Sequence, residues 1–238
     1  VIKTYGDDFN KKSIASPHVQ KTLRALKNCR TAVMGGHIDV CANPSCKHIH
    51  ISYNSCRNRH CPSCQFTQKE RWLTTMQYRT LPVRYFHCVF TVPHEFNGLC
   101  IRYPKLMYDL LFKVVWATLD SCSKDPQYGI IKMGMTAVLH TWGQNLSLHP
   151  HLHCIVPAGG LGQNKRWKHL KGSKALNSKN KDFLFPIDKL KAKYKSKFMA
   201  ALRKLIKLGL VEQQEPGFLN YVYNKDWVVY AKSSFGGP

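Results

Sequence analysis

The chain has 238 residues, 36 Lys and Arg against 13 Asp and Glu, and a formal net charge of +23 at pH 7. That excess suits a polyanionic partner, nucleic acid first, and is far beyond what an enzyme of neutral small substrates needs. The length allows one main core and a small second domain, and no apolar run is long enough to span a bilayer. No secretory leader opens the chain, so a reducing cytoplasm and association with the nucleoid are expected. The chain starts at Val1 without Met and stops at Pro238, which reads as a trimmed fragment.

Ser16-Pro17 is a good helix start, with Ser as N-cap and Pro in the first turn, and Val19, Leu23 and Leu26 keep helical spacing. The next stretch is crowded with metal-type ligands. Cys61 and Cys64 form a C-x-x-C knuckle, and Cys41 and Cys46 form a looser partner loop turned at Asn43-Pro44. These four thiolates are expected to close one tetrahedral zinc site. Cys29, His37, Cys56 and His60 could close a second; otherwise Cys56 and His60 pack in a core. Arg57, Asn58 and Arg59 lie between ligands, where short loops would hold them rigidly for DNA contact or to balance thiolate charge. His48 and His50, in a strand-like run, read as surface residues. A nucleobase deaminase is excluded, because it needs His-x-Glu and Pro-Cys-x-x-Cys, whereas this order is Cys61-Pro62-Ser63-Cys64. His94-Glu95 lacks the second histidine of a zinc-protease helix. Cys88, Cys100, Cys122 and Cys154 sit singly in apolar segments and read as buried and reduced.

A helix is expected from Pro62 to about Gln77, and a central strand over 83–93, where His87 reads as a core or groove histidine rather than a ligand. Helical spacing returns from Pro104 to about Leu119. Met135–Trp142 reads as a strand, Gly143–Ser147 as a turn, and Leu148–Pro157 as a second strand. Side chains alternate faces along a strand, so His151 and His153 point one way and Leu152 the other. Folding the two strands back about the turn brings His140 opposite His151, since cross-strand partners share a face. His140, His151 and His153 then form a three-nitrogen cluster for a divalent ion. Gln144 and His149 compete for the third place, and a bulge would turn His140 away.

Gly159-Gly160 is expected to end the hairpin, followed by a basic loop with Lys165, Arg166, Lys168, Lys171, Lys174, Lys179 and Lys181. A basic helix should run from Ile187 to about Leu208, with Gly209 as its C-cap. Lys189, Lys193 and Lys197 on it are candidate phosphate contacts, against the simpler reading of a solvated face. Phe218–Tyr223 and Asp226–Lys232 read as short strands.

The run His149-Pro150-His151-Leu152-His153-Cys154-Ile155-Val156-Pro157, with Leu139–Asn145 before it and Gly159-Gly160 after it, resembles the rolling-circle transposases of bacterial insertion sequences, of the two-tyrosine IS91 type. His151-Leu152-His153 matches the His-hydrophobe-His signature of the HUH endonucleases, and Ile51–Gln65 resembles the same family's N-terminal zinc-binding domain. The resemblance implies an α+β fold. A zinc-binding, DNA-recognising domain over residues 1–80 would precede an HUH nuclease domain over 81–238, its mainly antiparallel sheet flanked by helices. It implies zinc, one or two ions, as structural cofactor and Mg2+ or Mn2+ as catalytic cofactor. The partner would be the single-stranded DNA of transposon ends, nicked and rejoined by tyrosine attack. The family's paired tyrosines follow a sequence like Val228–Lys232, and Tyr221, Tyr223 and Tyr230 do not match their motif. The nuclease domain is therefore expected to be incomplete, lacking the nucleophile's helix, and the fragment to bind DNA without cleaving it. Rival readings are a plasmid replication initiator or relaxase with the same chemistry, and a non-catalytic, zinc-dependent DNA-binding regulator.

Overall fold

The structure, a computed structural model, describes residues 2–12, 14–170 and 184–236 and divides into two units, 1–80 and 81–238. The expected basic residues Lys171, Lys174, Lys179 and Lys181 lie outside the described residues.

In the first unit, α1 (Ile2–Lys12) precedes α2 (Pro17–Asn28). Lys27 reaches the Asp7 carboxylate at 2.8 Å, and the Ser16 hydroxyl accepts the Val19 N–H at 3.4 Å, as an N-cap should. The strands β1 (Gly36–Val40) and β2 (Ile49–Tyr53) form an antiparallel hairpin, with His37 opposite Ser52 and Asp39 opposite His50. Gly36 is required there, because a Cβ would sit 2.5 Å from the Ser52 carbonyl oxygen. The long helix α3 (Pro62–Arg79) ends the unit. Among the described residues of this unit only Cys61 is buried, while Ile38, Val40, Ile49, Ile51, Phe66 and Trp72 are exposed. An apolar core therefore does not hold the described residues of this unit together.

The second unit runs β3 (Tyr85–Thr91), α4 (Asn97–Arg102), α5 (Pro104–Ser123), β4 (Thr136–Trp142), β5 (Leu148–Pro157), β6 (Gly159–Leu161), β7 (Trp167–His169), α6 (Ile187–Lys207), α7 (Phe218–Asn224) and β8 (Val229–Ala231). Its main sheet is antiparallel, in the order β4-β5-β3-β8. One set of alternating side chains is fully buried: Phe86, Cys88 and Phe90 of β3, and Leu152, Cys154 and Val156 of β5. Leu111, Val115 and Leu119 of α5 and Tyr194, Phe198 and Leu202 of α6 share that core. Each such large apolar side chain contributes about 1.5–3 kcal/mol by leaving water. The buried Tyr194 hydroxyl donates to the Thr91 carbonyl at 3.0 Å, so the core carries no penalty for it. The opposite set of side chains, apart from Thr91 and Pro157 at the strand ends, is half-buried or exposed, and it carries the histidines.

Two expectations are corrected. Phe218–Tyr223 is helical, not a strand, because i,i+4 spacing turns both Val222 and Phe218 inward, the latter 6.0 Å from the ring of Phe96. Gly159-Gly160 does not end the hairpin but starts the β6-β7 ribbon, where a Cβ on Gly159 would lie 2.3 Å from the Lys168 carbonyl oxygen. Gly209 does close α6: its φ is +68°, and its N–H donates to the Ile206 carbonyl at 2.9 Å.

Candidate functional site

In the first unit, four thiols converge from three directions. Cys29 follows the end of α2, Cys56 follows β2, and Cys61 and Cys64 open α3. Sulfur–sulfur distances are 3.4 Å for Cys29–Cys64 and 3.6 Å for both Cys56–Cys64 and Cys61–Cys29. A tetrahedral zinc with bonds of about 2.3 Å spaces its sulfurs about 3.8 Å apart, so the group is near its liganded size. The Cys56 N–H points to Cys29 Sγ at 3.4 Å, and the Asn58 N–H to Cys56 Sγ at 3.5 Å, as donors that stabilise thiolates. Burial pushes the Cys56 thiol up to about 12. Burial also opposes ionisation of Cys64, but thiols donating from Cys29, Cys56 and Cys61 outweigh it and bring Cys64 down to about 6. Zinc binds thiolates, so its entry releases the protons the group still holds.

The expected ligand sets are repartitioned. Cys41 and Cys46 do not join Cys61 and Cys64; they lie in the β1-β2 connection, Cys41 exposed. Cys29 and Cys56 complete the group instead, because the ends of α2 and β2 deliver them to the start of α3. His37 lies on β1 near Asp39, 3.7 Å away, and His60 is exposed, 3.3 Å from Arg59 Nε. Neither joins a three-ligand group among the described residues.

In the second unit, the Leu148–Pro157 strand sends Leu152 and Cys154 into the core and His151 and His153 to the other face. His140 pairs with His151 across β4-β5, and the register shift begins only beyond it, between His140 and Trp142. One nitrogen from each of His140, His151 and His153 lies within 4.8 Å of the others. Ring centroids are 5.4 Å apart for His140–His151, 4.4 Å for His140–His153 and 5.0 Å for His151–His153. Trp142 stacks on His140 at 4.7 Å and restrains it. His149 serves the cluster through its backbone: its carbonyl oxygen lies 2.6 Å from His151 Nδ1. A carbonyl only accepts, so Nδ1 carries the proton and Nε2 keeps its lone pair for a metal. His87, read as a core or groove residue, comes to this cluster from β3: its Nε2 is 2.8 Å from His153 Nδ1. It also lines a groove of about 780 Å³ with Ile155, Tyr230, Lys232 and Phe235.

Burial, then the neighbouring His140, His151 and His87, hold His153 below the usual histidine range. The neutral ring that a metal needs therefore persists to lower pH than in an unperturbed imidazole, about 6.5. The folded state resists a proton that the unfolded chain accepts. The stability this lends is complete above the unfolded value and is lost as pH falls through the folded one. Mn2+ affinity and the thermal midpoint of the metal-free protein are both expected to fall on acidification from pH 8 to 5. Titration and thermal melts check this, and an affinity indifferent to pH would count against histidine ligation.

The basic candidates divide. Lys189 pairs with Asp125, and Lys193 donates to the Ser121 carbonyl at 3.0 Å and hydroxyl at 3.2 Å, so both tie α6 to the end of α5 rather than reaching outward. Lys197 is half-buried on the same helix. Asn58 shapes the knuckle, its side chain accepting the His60 N–H at 2.9 Å; Arg57 and Arg59 beside it are exposed.

Residues 1–92 match the family model described as "Transposase zinc-binding domain", of the IS91 type, and residues 134–238 match the one described as "Putative transposase". A "Putative transposase" of Sinorhizobium fredii is 34% identical over 251 residues, covering 100% of this chain and 60% of that protein. The chain belongs to the IS91 family of transposases. The transposase for insertion sequence element IS801 of Pseudomonas savastanoi pv. phaseolicola is 33% identical over 63% of this chain and 36% of that protein. The chain thus spans less than two thirds of the length of either relative. Among solved structures, the TrwC complex with a 27-mer DNA comprising a recognition hairpin and cleavage site gives a TM-score of 0.35 at 14% identity, covering 50% of this chain and 44% of that one. The metal-bound TrwC relaxase complex gives 0.33 at 13% identity, covering 49% and 42%. This IS91-type chain is α+β, with a zinc-binding domain and a cysteine cluster in it. No helix among its described residues is long and apolar enough to cross a membrane.

Proposed function

We propose that the chain is the metal- and DNA-handling part of a transposase that nicks and rejoins single-stranded transposon ends. The observation that carries this reading is the convergence of His140, His151 and His153 on a face of the sheet not covered by the core, with His151 Nε2 left free by its own Nδ1–H bond. The donor set fits a divalent ion, and imidazole suits manganese better than magnesium. A bound ion supplies charge stabilisation at the non-bridging oxygens of the scissile phosphate. The three histidines hold it from one hairpin, and the His149 carbonyl fixes the ring of His151. Exposed Trp142 and Tyr230 are suited to stacking unpaired bases, and exposed Arg57 and Arg59 to phosphate contact. A tyrosine oxygen attacks phosphorus and the 3′-oxygen leaves, giving a 5′-phosphotyrosine and a free 3′-hydroxyl. That tyrosine is assigned to no residue of this chain. Cys29, Cys56, Cys61 and Cys64 would bind a structural zinc.

The test is a cleavage assay with the transposase expressed from its complete reading frame, single-stranded oligonucleotides carrying the element's ends, and Mn2+. A protein–DNA adduct that survives denaturation and disappears with chelator is expected. Tight binding of the same oligonucleotides with no adduct under any divalent ion would favour a DNA-binding regulator whose histidines are structural.

A further inference from the structure

His87 stands outside the three-histidine group yet hydrogen-bonds to one of its rings. It lies on β3, beside β5, with Nε2 2.8 Å from His153 Nδ1 and the two rings nearly parallel, 11° apart at 5.0 Å between centroids. Neutral imidazole has one donor and one acceptor, so a pair at this distance shares one proton between the facing nitrogens. A metal at His153 takes the Nε2 lone pair and leaves the proton on Nδ1. The facing nitrogen of His87 must then accept, and the proton of His87 sits on its own Nδ1. We propose that His87 is a positioning residue: it holds His153 in the tautomer and ring orientation that present Nε2 to the ion, and is not itself a ligand. This rests on the metal reading of His140, His151 and His153.

The arrangement reproduces, with a side chain, what the His149 carbonyl does for His151. Both histidines of the His-Leu-His run then have Nδ1 held as donor and Nε2 turned to the cluster, each by a different strand segment. The His87 contact is the one across strands. It depends on the pairing of β3 with β5, in which His87 lies opposite Ile155 and Val89 opposite His153. His87 reaches His153 diagonally, a separation that aromatic rings span.

The experiment uses three proteins: the parent, His87→Leu and His87→Gln. Leucine removes the acceptor at a site where the side chain is only half-buried. Glutamine returns an amide oxygen near the position of Nε2. Mn2+ affinity is measured by the loss of the free-ion electron paramagnetic resonance signal, without DNA, and coordinated nitrogens are counted by pulsed methods on the same samples. His87→Leu is expected to bind Mn2+ about 10–100-fold more weakly, with near-ultraviolet circular dichroism unchanged, and His87→Gln to recover to within a few-fold of the parent. Three coordinated imidazoles are expected in both the parent and His87→Gln. Undiminished affinity in His87→Leu overturns the proposal. So does a fourth coordinated imidazole that vanishes in His87→Gln, since His87 would then be a ligand. A parent protein that binds no Mn2+ overturns the metal reading and this one with it; the other two outcomes remove the role of His87 alone.

Discussion

Cys61→Ser is expected to release zinc from the four-thiol group and to unfold residues 1–80 while residues 81–238 stay folded. The first unit has no apolar interior to fall back on: among its described residues Cys61, at 4% exposure, is the only buried one. Structural zinc in small modules contributes about 10–16 kcal/mol of apparent binding free energy, which here replaces the missing core. Serine cannot supply the thiolate, and the loss should exceed what helix caps and the hairpin ladder recover. Elemental analysis should show one fewer zinc per chain than the parent, and limited proteolysis should cut within residues 1–80 first. A Cys61→Ser protein that keeps its zinc and its protease resistance would show that another residue closes the site.

Removing two of the three ring donors is the second large effect. His151→Ala combined with His153→Ala should abolish measurable Mn2+ binding and reduce adduct formation by the complete transposase at least about 10³-fold, since metal charge stabilisation is worth several kcal/mol and each 1.4 kcal/mol is tenfold in rate. Neither side chain is packed in the core, so the fold should survive; Leu152 between them is fully buried and stays. Zinc content should not change. If adduct formed at the parent rate with both rings gone, the phosphate would be activated elsewhere and the role given to this hairpin would be lost.

The histidine cluster was legible because a strand has only two faces. The order His151-Leu152-His153 before Cys154-Ile155-Val156 leaves one register that buries Leu152; the turn pairs Trp142 with Leu148, and a one-residue shift between His140 and Trp142 then sets His140 opposite His151 rather than Pro150. The thiol group was less legible. A C-x-x-C pair invites the nearest other pair as partner, but distance along the chain says nothing about which element ends meet. Cys29 joins Cys64 across 35 positions only because α2 delivers it there. His87 was visible as a strand residue but not as a neighbour of His153, since its pairing with a strand more than 60 positions later leaves no local trace. Lys189 and Lys193 looked like phosphate contacts because a run of lysines shows charge and not partners; Asp125 and Ser121 lie far back in the chain. The short helix α7 was hidden by the strand preference of its aromatic residues, which burial of Val222 overrides.

All three ring donors come from one hairpin, β4 and β5, joined by a short connection. Ribbons of this kind zip in about 1–10 μs, well before distant segments of a sheet find their places. The edge strand β8 reaches β3 only after some 140 intervening positions have been ordered, since Phe90 pairs with Val229. On the proposed metal reading, the three ligands meet in this ribbon before the rest of the sheet is built, and the positioning contact that His87 makes from β3 arrives later.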